Sequence, residues 1–385
     1  MRFGLGKRRF AGLAAVLAGA LLSSTSQQSY AASLDESSRA TIDRTGDILV
    51  FPKVVYDTGA AATARDTVIR ISNTFNHPAE LHCFYVDARL ANPGQPPDPV
   101  FNPRRWQETD FEIFLTAQQP THWVVSQGRP VDPTDYFGGQ NSGLDPGAIP
   151  PVTAGFEGEL RCIHVESDGS TPTGGNYLKG EATIVDRGRD ASDYNAIALR
   201  SGSSAGNDGN IAILDEVGDD SGGNFTACPQ TLILDFIAFG GPDPVVRAFG
   251  QCTGDNCPVE TNLTLVPCSA DFENLIPGNV TLNVAIIDEF ETMTSAPVVN
   301  VDCWLDSRLD RLGTLSTQQT NSVYSASVLA SPTAVARFTS ASGGGVLGVA
   351  EETHKDSTGK QSRAAFNLQH EGALPGDTIT LTLLP

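Results

Sequence analysis

TVIRISNTFNHPAELHCFYVD, Thr67 to Asp87, is the stretch that decides the fold class. Its first six residues alternate strictly. Thr67, Ile69 and Ile71 face one way, and Val68 and Arg70 the other, as on a half-buried strand. Asn76-His77-Pro78 is a turn signal, and Leu81 to Val86 is a second, apolar strand. Similar short runs lie on both sides: Ile48–Phe51, Val54–Tyr56, Phe111–Leu115, Trp123–Val125, Leu160–Val165, Ala182–Val185 and Ala196–Leu199. A second series starts at Thr231–Phe239. It continues through Asn262–Pro267, Val280–Ile287, Val298–Leu305, Ser322–Leu329, Ala334–Phe338, Val346–Ala350, Ala364–Leu368 and Thr378–Leu384. No amphipathic helix interrupts them, although Asp302 to Leu312 has room for a turn or two. This pattern predicts an all-β chain of two tandem immunoglobulin-like antiparallel sandwich domains with long loops. The Pro-rich segment Asn92–Arg105 and the Gly/Pro/Asp-rich segment Gly128–Pro151 are the long loops, and function is expected there.

The N-terminus has a different character. Arg2, Lys7, Arg8 and Arg9 precede an apolar run from Phe10 to Leu22, and a small-x-small site follows at Ser29-Tyr30-Ala31. That is the layout of a cleavable secretory signal, too short in its apolar part to span a bilayer. The expected organisation is a signal peptide over 1–32, a linker over 33–46, and a first sandwich over 47–217. A Gly/Asp-rich linker over 218–225 and a second sandwich over 226–385 complete it. The chain carries 25 basic and 45 acidic residues, and loss of the signal lowers the net charge to −24. Such a surface repels nucleic acid and anionic lipid and suits cation binding. No later segment is apolar enough to cross a membrane, so a secreted or periplasmic protein is expected. Its partner would be another exported protein or a surface component.

The halves look related. Thr67–Asp87 and Val280–Asp306 each read as strand, polar turn, and a return strand bearing Cys, an aromatic and Asp. Tyr177–Ala182 before Ala196–Leu199 parallels Val346–Ala350 before Ala365–Leu368.

The runs ILVFPKVV (48–55), HCFYVDA (82–88), DFEIFLTAQQPTHW (110–123), LKGEATIV (178–185), LVPCSADFE (265–273) and VDCWLDSRL (301–309) resemble a group of uncharacterised exported bacterial β-sandwich proteins. The opening is also similar to immunoglobulin-type modules such as those of pilus chaperones, where a first strand precedes a TVxIxN-type second strand. These resemblances imply a fold class and no activity, cofactor or catalytic residue.

Seven cysteines in an exported chain are expected to pair. Cys83 and Cys162, each central in a strand, are expected to bridge from one sheet to the other. Cys252 and Cys257 fit a small ring, and Cys268 with Cys303 is the next pair. Cys228 is left over, whether free, bonded to Cys252 or Cys257, or joining two molecules.

No residue set qualifies as catalytic, and no cofactor is expected. His82, Cys83, Cys162 and His164 lack zinc spacing. His164-Val-Glu166 is an H-x-E pair of the kind that supplies iron ligands, without a third ligand in reach. Gly202–Gly206 fits G-x-S-x-G around Ser204, but a flexible turn follows where a helix is needed. Ser357-Thr-Gly-Lys360 matches S-x-x-K in a turn. Glu352 and His354 share a strand face and read as a solvated pair. Asp215, Glu216, Asp219 and Asp220 are a weak calcium candidate, better read as a solvated linker. Asn224, Asn262 and Asn279 begin N-x-S/T sequons. Trp106, Trp123 and Trp304 read as packing residues, with Trp123 the candidate for ligand stacking. The expected function is a binding or structural component. The alternatives are a metal-dependent oxygenase, a hydrolase, or a chaperone-like partner of exported subunits.

Overall fold

Strands buried on both faces read as continuous apolar runs, and strands covered on one face alternate. ILVF, LHCFYV and LRCIHV are of the first kind, and TVIRIS is of the second. The computed structural model sorts them accordingly. It describes residues 40–59, 64–92, 95, 101–131, 145–186, 190–202, 208–215, 225–241, 243, 259–312, 322–358 and 360–383. These lie in one compact unit, Glu36–Pro385.

β1 (Ile48–Tyr56), β3 (Ala79–Asp87), β4 (Gln107–Leu115), β6 (Phe156–Val165) and β9 (Ile197–Leu199) form a sheet in the order β4-β3-β6-β1-β9. Facing it are β2 (Arg65–Asn73), β5 (Pro120–Val124), β7 (Leu178–Asp186) and β8 (Asp190–Asn195), in the order β5-β2-β7-β8. Leu49, Phe51, Ile69, Leu81, Tyr85, Leu160 and Ala182 fill the space between them. The opposite face of the first sheet is also buried. Ile48, Val50, Phe84 and Ile163 meet a small mixed sheet of β10 (Ile211–Asp215), β11 (Phe225–Thr226), β14 (Ala270–Asp271), β15 (Ile276–Pro277) and β23 (Asp377–Thr380).

The second half repeats the first strand for strand. β12 (Thr231–Ile237), β16 (Asn279–Asp288), β17 (Met293–Asp302), β19 (Thr333–Ser342) and β22 (Gln369–Glu371) take the order β17-β16-β19-β12-β22. β13 (Glu260–Pro267), β18 (Leu305–Arg308), β20 (Val346–Lys355) and β21 (Gln361–Asn367) take the order β18-β13-β20-β21. Replacing β1 to β9 by β12, β13, β16, β17, β18, β19, β20, β21 and β22 turns the first two orders into the second two. The register agrees with this. Ile69 lies opposite Ala182 and Ile71 opposite Gly180, as Leu263 lies opposite Ala350 and Leu265 opposite Gly348. A Cβ on Gly180 would come within 2.7 Å of the Phe51 ring, and one on Gly348 within 2.6 Å of Leu265. Both strands therefore need glycine where the core closes on them.

The proposed alignment of the halves needs correction. β2 and β3 lie in facing sheets, whereas β16 and β17 form a hairpin in one sheet, so Thr67–Ser72 corresponds to Thr261–Val266. Ala196–Leu199 likewise follows the end of β8, whose counterpart β21 ends at Asn367. Ser322–Leu329, expected as a strand, holds the single helical turn α1 (Ala326–Leu329).

Cys83 and Cys162 are bonded, with Cα atoms 4.0 Å apart. They sit directly opposite each other on β3 and β6, so the bridge lies within one sheet and not between two. The expected pairing of Cys268 with Cys303 is not the one formed. Cys268 bonds Cys228, with Cα atoms 6.4 Å apart, and Cys303 is free and buried. Cys303 lies at the bend after β17, at φ 58°, with its N–H held by the Gly278 carbonyl. Cys228 and Cys268 meet beside Gly345, where a Cβ would come within 2.4 Å of the Cys228 Cβ. Cys252, Cys257 and the segment 218–224 lie outside the described residues, as does the signal region.

A buried ion cluster joins the halves. A bulge in β1 after Phe51 turns Lys53 out of register. Its ammonium lies 3.0 Å from Asp306 and 3.3 Å from Glu351. Arg65 pairs ionically with Glu351 and Asp186, and Arg363 hydrogen-bonds Asp186. The exposed backbone edges of β8 and β21 are tied by Asn367, which accepts the Asn195 N–H and donates to the Asn195 carbonyl.

Candidate functional site

The sequence candidates of the first half are structural. Cys83 and Cys162 are spent on a disulfide, and His82 and His164 point to opposite faces of the sheet. His164 Nδ1 lies 3.1 Å from Asp47, whose carboxylate also accepts the Gly175 and Asn176 N–H groups. Glu166 accepts the Thr173 hydroxyl instead of completing a metal pair. Trp123 is 2% exposed, and its indole N–H donates to Tyr85, so it is a core residue and not a stacking platform. Trp304 donates to the Pro52 carbonyl, and Trp106 stacks on Phe272. Ser357 and Lys360 lie in a hairpin turn organised by Asp356, which accepts the Lys360 N–H. Asp215 ends β10, while Glu216, Asp219, Asp220, Asn224 and Ser204 lie outside the described residues. Asn262 is mid-strand in β13, and Asn279 donates to Asp302.

One expectation changes the picture when corrected. Glu352 and His354 do share a face of β20, but they are not a solvated pair: their side chains are 16% and 11% exposed. His354 Nδ1 lies 2.9 Å from Asp243, which is fully buried, and its Nε2 lies 3.8 Å from Glu352. Burial pushes the Glu352 carboxyl above its ordinary range. His354 partly offsets this, and Asp243 adds to it.

Glu352 lines a cleft of about 440 Å³ at one end of the second sandwich. Aligned ends of three strands form it. Asp235, Val335 and Ile287 are neighbours across β12, β19 and β16, and Phe236, Ala334 and Asp288 form the next row. Ile237, Glu289 and Thr333 complete the lining. Among the described residues that line it, four are carboxylates and none is a Lys, Arg or His. An apolar floor with a few polar groups at this size is the usual makeup of a ligand site.

The duplication provides an internal control. Counting along β20 and β7 from the matched glycines, Glu352 occupies the position of Ile184, which is 2% exposed in the first core. Asp288 and Asp87 are the last residues of β16 and β3, and each accepts the N–H of the residue two further on. That residue is Arg89 in the first half and Phe290 in the second. Phe290 is 67% exposed at the hairpin tip, beside Met293 at 69%. The open end of the second sandwich thus departs from its twin at the positions around the cleft. Neither departure was legible in the sequence, because the repeat had to be aligned on Gly180 and Gly348 first.

No protein-family model matches the chain, and no curated protein matches it. Among solved structures, one titled "Crystal Structure of Thermotoga maritima 1070" is similar at 8% identity and a TM-score of 0.23. That match covers 40% of this chain and 95% of that one, and it is too slight to bear on fold or function.

Proposed function

We propose that this is an exported binding protein that engages its ligand with the open end of its second sandwich. The observation that carries the reading is the cleft: a carboxylate, Glu352, stands where the duplicated core has Ile184, and burying a carboxylate disfavours folding. Features that work against stability concentrate at functional sites. The exposed Phe290 and Met293, on the hairpin that contributes Ile287, Asp288 and Glu289 to the cleft, supply apolar contact area. The signal-like N-terminus, the resemblance to exported bacterial proteins and two disulfides support a secreted or periplasmic setting. The immunoglobulin-like kinship rests on the opening strands alone. The partner is another exported protein or a surface component.

Protein-observed NMR with a mixed fragment library tests the site. Hits should cluster on Ile237, Ile287 and Val335. Hits confined to another surface, such as the polar groove at Arg70, His122 and Lys179, would contradict it.

A further inference from the structure

The twin halves also indicate what the cleft takes. In the first half the strand-end carboxylate carries its own cation. Arg89 folds back onto Asp87, with Nε 2.9 Å and 3.0 Å from the two carboxylate oxygens. Its Nη1 donates to the Ala154 carbonyl at 2.9 Å and its Nη2 to the Thr153 hydroxyl at 3.0 Å. The guanidinium is therefore bound on both sides, by the carboxylate and by the Thr153–Ala154 turn. In the second half the same strand-end turn is present without the guanidinium. Asp288 accepts the Phe290 and Thr292 N–H groups at 2.9 Å each, and the side chain two residues on points no charge at it. Beside it, Glu352, whose one basic neighbour is the His354 ring 3.8 Å away, adds a carboxylate together with Asp235 and Glu289 around an apolar floor.

We infer that the cleft binds a guanidinium or ammonium group on an apolar stem, the chemistry a Lys or Arg side chain of a partner protein or a free alkylamine would present. The inference rests on the binding reading above and names its ligand class. A cation there replaces the one that Arg89 supplies internally in the first half, and its stem covers Val335, Ile287 and Ile237. A chain with this net negative charge also draws cations towards it at long range.

The probes are hexylammonium, hexanol and hexanoate, which share a stem and differ in head group, titrated into the full mature chain at neutral pH by NMR. Millimolar binding of a seven-heavy-atom ligand needs only about 0.6 kcal/mol per atom, well within what small ligands reach. Hexylammonium should bind at least about tenfold more tightly than hexanol, and hexanoate should not bind, since a tenfold ratio is what a modest difference of one charge contact produces. Glu352→Gln should remove most of the ammonium preference while leaving hexanol unchanged, and a circular-dichroism spectrum identical to wild type shows that the variant is folded. Equal binding of hexylammonium and hexanol would overturn the charge inference and leave the cleft as a binding site. Binding of none of the three would overturn both. An Ac-Leu-Arg-Leu-amide peptide separates the two sources. Tighter binding than hexylammonium assigns the cleft to protein side chains, and weaker binding assigns it to free amines.

Discussion

Glu108 on β4 is pushed up to about 7, chiefly by burial and then by the Asp110 and Asp271 charges beside it. An acid whose folded value is raised holds its proton more tightly in the native state. Its contribution is therefore fully present below about 4.5 and is lost as pH rises through about 7. Glu108→Gln should leave stability at pH 4 unchanged and raise it at pH 8 by about 1 kcal/mol, allowing for solvent screening of a half-exposed group. Urea titrations at the two pH values read this out, and a larger gain at pH 4 would refute it. Cys303 behaves oppositely as a reagent. Burial pushes its thiol up to about 12, with Arg104 only partly offsetting that. The thiolate is the reactive form, so Cys303 should resist a disulfide-exchange reagent in native protein at pH 8 and be labelled on unfolding, as mass mapping of its peptide reads out. Prompt labelling of the Cys303 peptide in native protein would contradict the burial. At Glu352 the sign of the pH effect separates two properties. Its raised value means that its charged form costs stability as pH rises. The same charged form is what a cationic ligand needs, so affinity for hexylammonium should fall as pH drops into the range above 4.5, where that carboxyl takes up its proton.

Two strands joined side by side by a disulfide gain from it mainly through the unfolded chain. Cys83 and Cys162 close a separation of 79 residues. Replacing both with Ala should cost about 2–4 kcal/mol in urea unfolding, below the chain-entropy ceiling of about 4.5 kcal/mol for such a loop. A cost below about 0.5 kcal/mol would show that the sheet is held by its ladder alone. The bridge's members were legible in the sequence, since they are the two cysteines of the first half and both sit mid-strand. That they are neighbours in one sheet was not, because LHCFYV and LRCIHV are apolar on both faces, and parity alone does not say which strand lies alongside. The all-β class followed from alternation in TVIRIS and its counterparts. The small third sheet escaped, because β11, β14 and β15 are two residues long and carry no period. Cys303 was mispaired for a related reason: the strand VVNVDCWLD contains a left-handed residue that breaks it at the cysteine, and only Gly is expected to adopt that shape readily.

Across the whole molecule, the halves are joined by polar groups that are costly to separate. Lys53 is 2% exposed between Asp306 and Glu351, contributed by the other half. Lys53→Ala leaves those carboxylates without their ammonium and should cost about 3–5 kcal/mol. Hydrogen exchange should then quicken in β7 and β20 together, whereas acceleration in one alone would mean that the halves open independently. Duplicated sandwiches with one altered end account for the difference between the two ends: beside Arg89 the first keeps a pocket of about 180 Å³, and the second, with Glu352 in place of Ile184, has a cleft of about 440 Å³. The most direct test is Glu352→Ile, which writes the first half's residue into the second, read by thermal melting and hexylammonium titration on the same sample. The account predicts a higher melting temperature, equivalent to about 1–3 kcal/mol, from replacing a partly buried carboxylate with a core side chain, together with loss of ammonium binding. A lower melting temperature with binding intact would contradict it.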